Sequence, residues 1–121
     1  MTWETAKNLA EKYLAVLEQS WAANGIDPAG FAGQPTPMTD YECDEDLRLL
    51  RPEDGPDATV EDHRILNRAV ARLLRTRYGM RPIAVPLRAA DYLRWLAAEG
   101  RKNDAANRAL FAAGEFRRRL D

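Results

Sequence analysis

The stretch "GMRPIAVPLRAADYLRWL", Gly79 to Leu96, decides how the chain is read. Ile83, Val85 and Leu87 alternate with Pro82, Ala84 and Pro86. That period of two marks a short strand or extended segment. Pro86 has no N–H to give to a ladder, which argues against a central strand. From Asp91 the period lengthens, and Tyr92, Leu93, Trp95, Leu96, Ala97 and Ala98 wrap most of a helix that Gly100 closes. The expectation is an extended connector lying on a helical core. Failing that, the segment forms an edge pair with the loop around residues 35–41 or with its copy in a dimer.

Outward from there, the other elements are helical. Thr2 can cap a helix whose first turn holds Glu4 near the positive end of the dipole. Trp3, Ala6, Ala10, Tyr13, Leu14, Leu17 and Trp21 recur at three- and four-residue steps and predict one buried stripe. Leu9 and Val16 fall off it, either widening that face or touching another chain. Asn24-Gly25 ends the helix at about residue 23.

Residues 25–58 hold Pro28, Pro35, Pro37, Pro52 and Pro56 with four glycines. They predict a long packed-down loop with a helical turn or two at "CDEDLRLL". "TVED", from Thr59, resembles a capping box with Asp62 in the usual Glu position. It opens a helix over about 60–78. Its inner face reads Leu66, Ala69, Val70, Leu73, Leu74 and Arg77, while Arg64, Arg68, Arg72 and Arg75 share one solvated stripe. Helices over about 90–99 and 104–119 follow, the latter started by Asn103 or Asp104. The fold class expected is mainly α: one domain, 1–121, a bundle of about four helices with a long Pro/Gly-containing loop and one strand-like segment near 82–88.

The bulk numbers agree. The chain has 121 residues, 45% hydrophobic and 31% charged, which is a globular composition. A chain of that length buries about two-thirds of its unfolded surface. No apolar run is long enough to span a bilayer, so no membrane role is expected. The N-terminal residues carry acids early and do not read as a signal peptide. Cys43 is single, and a reducing cytoplasm is the simplest setting for it.

The net charge of −1 hides a split. Residues 1–60 hold four bases against twelve acids, and residues 61–121 hold fourteen bases against seven acids. Thirteen of those fourteen are arginine. The halves either match each other or present a basic face to an anionic partner.

The order of "RPIAVPLR", "AADYLRWLAAEG" and "NDAANRALFAAGEFRRRL" resembles ribbon-helix-helix regulators. That resemblance implies an obligatory dimer whose paired strands enter the major groove. The strand departs from the pattern, because its two faces are Ile83, Val85, Leu87 and Pro82, Ala84, Pro86, and base edges are read by polar side chains. The last two helices also fit a helix-turn-helix, though a plain antiparallel hairpin is far commoner. A DNA-binding dimer would use Arg81, Arg88, Arg101, Lys102, Arg108, Arg117, Arg118 and Arg119. The C-terminal arginines equally complement a helix dipole.

Asp40, Glu42, Asp44, Glu45 and Asp46 crowd seven positions. They lack the spacing and Gly of a calcium loop, and no metal site is expected. They can present a carboxylate row to a protein partner, or pair with the Arg64–Arg75 stripe. Tyr92 and Trp95 are either core or a partner surface, since both types are frequent at interfaces. Cys43 and His63 lack any companion motif for nucleophilic catalysis. No phosphate loop, dinucleotide fingerprint or zinc spacing is present, so no catalytic residue or cofactor is expected. The reading is a non-catalytic interaction module for a protein or nucleoprotein partner, a small regulator or inhibitor of the build seen in phages and mobile elements. Its partner-binding residues are Asp40, Glu42, Asp44, Glu45, Asp46, Tyr92 and Trp95. The different-class alternative is the dimeric DNA-binding regulator.

Overall fold

A computed structural model describes residues 1–120. The elements, in order, are helix α1 (Trp3–Ala23), strand β1 (Pro35–Asp40), helix α2 (Asp44–Leu50), helix α3 (Val60–Tyr78), strand β2 (Arg81–Pro86), and helices α4 (Ala89–Glu99) and α5 (Ala105–Leu120). Single 3₁₀ turns at Pro28–Phe31 and Pro52–Asp54 punctuate the long connections. The class is mainly helical with one small sheet, as expected, and the 25–58 loop is more regular than its composition suggests.

The sheet answers what the strand-like segment pairs with. β2 lies parallel to β1 in a two-stranded sheet. The register runs from Arg81 N–H on the Gln34 carbonyl, 2.9 Å, to Leu87 N–H on the Asp40 carbonyl, 2.8 Å. Parallel strands need a long crossover, and α2 with α3 supplies it. Both strands are edges, so the prolines at 35, 37, 82 and 86 cost no inner ladder bond. The first expectation, a bare connector, gives way to the strand pair, and the pairing is made within one chain.

The chain forms two compact units, residues 1–36 with 64–83, and residues 37–63 with 84–121. In the first, Ala6, Ala10 and Leu14 of α1 are buried, as are Ala69, Val70, Ala71 and Leu74 of α3 and Met80. Thr2 caps α1 by accepting from Thr5 N–H at 3.1 Å. Trp3 and Lys7 line one cleft with Ala69 and Arg72, Glu11 takes Arg77, and Glu18 accepts from the Tyr78 hydroxyl, so the contacts ascend together and the two helices run the same way. Trp21 closes one end of the unit, edge-on to Phe31 and to Tyr78 at 5.2 and 5.3 Å. Two members of the predicted α1 stripe lie outside: Trp3 is 40% and Tyr13 53% exposed. Alanine at 6 and 10 holds the helix close to α3 and leaves the bulkier neighbours on the rim. Arg77, counted to the inner face of α3, is exposed and bonds Glu11.

The second unit is built on Tyr41, Leu47, Leu50, Leu87, Tyr92, Leu96 and Phe111, with Ala58, Val60, Ala89 and Trp95 packed against them. Each such buried large side chain is worth about 1.5–3 kcal/mol. Thr59 Oγ1 accepts from Asp62 N–H at 3.2 Å, so the "TVED" cap forms. Asp44 Oδ1 adds a cap from sixteen residues away, accepting from Val60 N–H at 2.8 Å. Gly100 takes the left-handed conformation, φ 64°, that ends α4. Asp104 starts α5 by accepting from Asn107 N–H at 2.8 Å.

Candidate functional site

Of the two α4 residues expected to touch a partner, Tyr92 lies inside and Trp95 is half-buried. Tyr92 is fully buried, and its hydroxyl donates to Asn103 Oδ1 at 2.9 Å. Burial pushes its phenol above the ordinary value. Trp95 is half-buried, 5.3 Å from the Phe111 ring, and the Arg101 guanidinium lies 5.3 Å from its centroid. A helix apolar nearly all round was expected at the core or at an interface, and for Tyr92 the core prevails. Tyr92 therefore leaves the set of contact residues.

Arg108 also moves inside. It is 2% exposed, because Leu50, Asn103 and Glu53 converge on it. One guanidinium nitrogen donates to the Leu50 carbonyl at 2.8 Å and to Asn103 Oδ1 at 3.1 Å, and another donates to Glu53. Asn103 Nδ2 donates to the same Leu50 carbonyl at 2.8 Å. This polar knot ties the end of α2 to the α4–α5 turn. A guanidinium so enclosed cannot grip a phosphate, so Arg108 is withdrawn from the nucleic-acid set.

The rest of that set is scattered or engaged. Arg81 donates to the Gly33 carbonyl at 2.9 Å, and Arg88 lies 3.7 Å from Glu42 with both side chains largely in water. Arg101 covers Trp95 and donates to Asn107 Oδ1 at 3.1 Å. Arg118 pairs with Glu115 one turn back. Lys102, Arg117 and Arg119 are exposed. Surface pairs of this kind are worth little energetically, yet they occupy the side chain.

In the acidic run, Glu42 and Glu45 are exposed while Asp40, Asp44 and Asp46 are half-buried. Asp44 is spent on capping α3. Cys43 is exposed at the start of α2 and makes no side-chain cap. His63 is buried, edge-on to Tyr41 at 5.1 Å. Its Nε2–H donates to the Thr39 carbonyl at 3.2 Å, and burial pushes the imidazole below its ordinary pKa. Among the described residues no group of His, Cys, Asp and Glu has a metal-holding arrangement, and no helix is long and apolar enough to cross a membrane.

Two surfaces stand out that the sequence only hinted at. On α1, Leu9, Tyr13 and Val16 are 39%, 53% and 64% exposed and recur at four- and three-residue steps. Leu9 and Val16 already fell off the buried stripe, and Tyr13 joins them. On α3, Arg68, Arg72 and Arg75 are exposed and form no ion pair among the described residues. Arg64, one turn earlier, has an interaction of its own within the chain. Beside this row lies a cleft of about 230 Å³ lined by Trp3, Lys7, Glu11, Ala69, Arg72, Leu73 and Thr76.

Folding also re-sorts the charge. The first unit carries eight bases against four acids, a net of +4, and the second ten against fifteen, a net of −5. The acidic loop belongs with the arginine-rich C-terminal residues, and the α3 arginines belong with α1. No protein-family model matches the chain, and no curated protein matches it either.

Proposed function

We propose that the chain is a non-catalytic interaction module that binds a protein or nucleoprotein partner, a small regulator or inhibitor acting in the cytoplasm. The observation that supports this most is the row Leu9, Tyr13 and Val16 on α1. Single exposed apolar residues are ordinary, but three on one helical face at this spacing form a continuous strip. Spacing of i, i+4 and i+7 is how a helix anchors itself in an apolar groove. The partner is therefore a protein with such a groove, and Tyr13 supplies the aromatic anchor.

The test is affinity capture with the tagged full chain against the same chain carrying Tyr13→Ser and Val16→Asp. Circular dichroism of the two should coincide, because neither side chain is in the core. The expected result is a partner recovered by the wild type and lost from the variant. A partner recovered equally by both would remove this face from the model. Recovery of nothing by the wild type would count against the interaction role itself.

A further inference from the structure

The arginine row of α3 belongs to a different chemistry from the apolar strip of α1. Three guanidinium groups in one helical row repel each other, although Arg75, in the last turn of α3, also complements its dipole. In the first unit Lys12 forms no ion pair among the described residues, while Lys7, 3.2 Å from Glu4, and Arg77, bonded to Glu11, are matched. Arg68, Arg72 and Arg75 are not. They rise along the helix by about 10 Å in all, at about 1.5 Å per residue. Arginine is the side chain best suited to phosphate, because its planar fork meets two oxygens at once.

The cleft gives a second, independent indication. It opens at the middle of the row, since Arg72 is both a member of the row and a wall of the cleft. Trp3 forms another wall and is 40% exposed, and Lys7 and Thr76 add polar groups. Its volume of about 230 Å³ suits one planar ring system with room to enter. An acidic protein face would satisfy the arginines and cover Trp3, but it has no need of a cleft of this size. A duplex would satisfy the arginines too, yet its bases are stacked and cannot reach a side pocket. A single nucleic-acid strand uses both features, with backbone on cations and an unstacked base on an aromatic ring.

We propose that the first unit binds single-stranded nucleic acid, with the phosphodiester backbone on Arg68, Arg72 and Arg75 and one base in the cleft against Trp3. Lys7 and Thr76 line the path of the base, and Glu11 stays on Arg77. The site is separate from the apolar strip and does not depend on it.

The test is fluorescence anisotropy of the full chain with an end-labelled oligothymidylate of about fifteen nucleotides, at 50 and 200 mM NaCl. Three phosphate contacts on a single strand predict a log–log salt slope near −2, at about −0.7 per contact. Affinity should then fall roughly fifteen- to twentyfold over that fourfold rise in salt. Changing Arg68, Arg72 and Arg75 together to Gln should cut the low-salt affinity at least tenfold and nearly abolish the slope. Trp3→Leu should weaken binding about five- to a hundred-and-fiftyfold with the slope kept, and Trp3→Phe should restore part of the loss. Changing Arg117, Arg118 and Arg119 to Gln should leave affinity within about twofold. Absence of binding at 50 mM NaCl overturns the proposal, as does binding that the α3 variant leaves intact. Tighter binding to a duplex of the same length, indifferent to Trp3, overturns it in favour of a duplex site. Self-association by light scattering that the α3 variant abolishes, without oligonucleotide binding, overturns it in favour of an acidic protein partner.

Discussion

Arg108 and Glu53 form an ion pair with unequal ends: the cation is 2% exposed and the carboxylate about half. The two single truncations should therefore differ in a set order. Glu53→Ala leaves a buried guanidinium with no counter-charge, and its Nε already lacks a partner among the described residues. Breaking a fully buried pair this way costs about 3–5 kcal/mol. Water reaches the Glu53 end, so about 2–3 kcal/mol is expected here. Arg108→Met removes the buried charge and leaves a carboxylate that can turn to solvent. The Leu50 carbonyl keeps Asn103 Nδ2 as a donor, and Asn103 Oδ1 keeps the Tyr92 hydroxyl. Methionine fills most of the vacated space, so about 1 kcal/mol is expected. The double variant should resemble Arg108→Met alone, because the stranded charge is gone. Urea unfolding followed by circular dichroism reads this directly. With an m-value of about 1–3 kcal/mol/M, Glu53→Ala should lower the midpoint by about 0.7–3 M. If Arg108→Met proved as damaging as Glu53→Ala, or the double variant equalled the sum of the singles, the reasoning would be refuted. The knot would then act through packing rather than through a compensated charge.

Two further outcomes are expected. Because burial depresses the His63 pKa, the unfolded chain binds the proton more readily than the folded one. Stability should therefore fall as pH drops below the ordinary imidazole value of about 6.5, by no more than about 1.4 kcal/mol per pH unit. His63→Gln should flatten that part of the profile in urea titrations between about pH 7.5 and 5, and an unchanged profile would assign the acid sensitivity to carboxylates. Asp44→Ala should cost about 1–2 kcal/mol, because it leaves the Val60 N–H without its acceptor, whereas Glu45→Ala in the same acidic run should cost almost nothing. Equal midpoints for these two variants would show that the Asp44 cap contributes nothing.

The candidate surfaces emerge from subtraction. Tyr92 reads as a contact residue because tyrosine is common at interfaces, and Arg108 because it is one of the cations of the C-terminal half, but residue type cannot report what converges from elsewhere in the chain. Leu9 and Val16 were legible as misfits to the α1 stripe. Tyr13 was not, since the buried stripe is narrower than its apolar residues allow. The α3 arginines were legible as one face, but that Arg68, Arg72 and Arg75 form no ion pair among the described residues was not. The acidic loop that balanced it on paper belongs to the other unit.

What the sequence determined by itself is local. The limits of α1 and the start of α3 follow from caps and periodicity, since Thr2, Gly25 and Thr59 act within a turn of the residues they start or stop. The extended character of residues 81–86 follows from alternation and two prolines. The tertiary structure decided everything that depends on partners distant along the chain. Strand β2 needed β1, more than forty residues earlier, and its register came from backbone groups that all residues share. Asp44 reaches α3 across sixteen residues, and Arg108 is held from Leu50, fifty-eight positions away. Periodicity reports which residues share a face of one helix. Whether that face is covered, paired or left to solvent depends on which other segments fold against it.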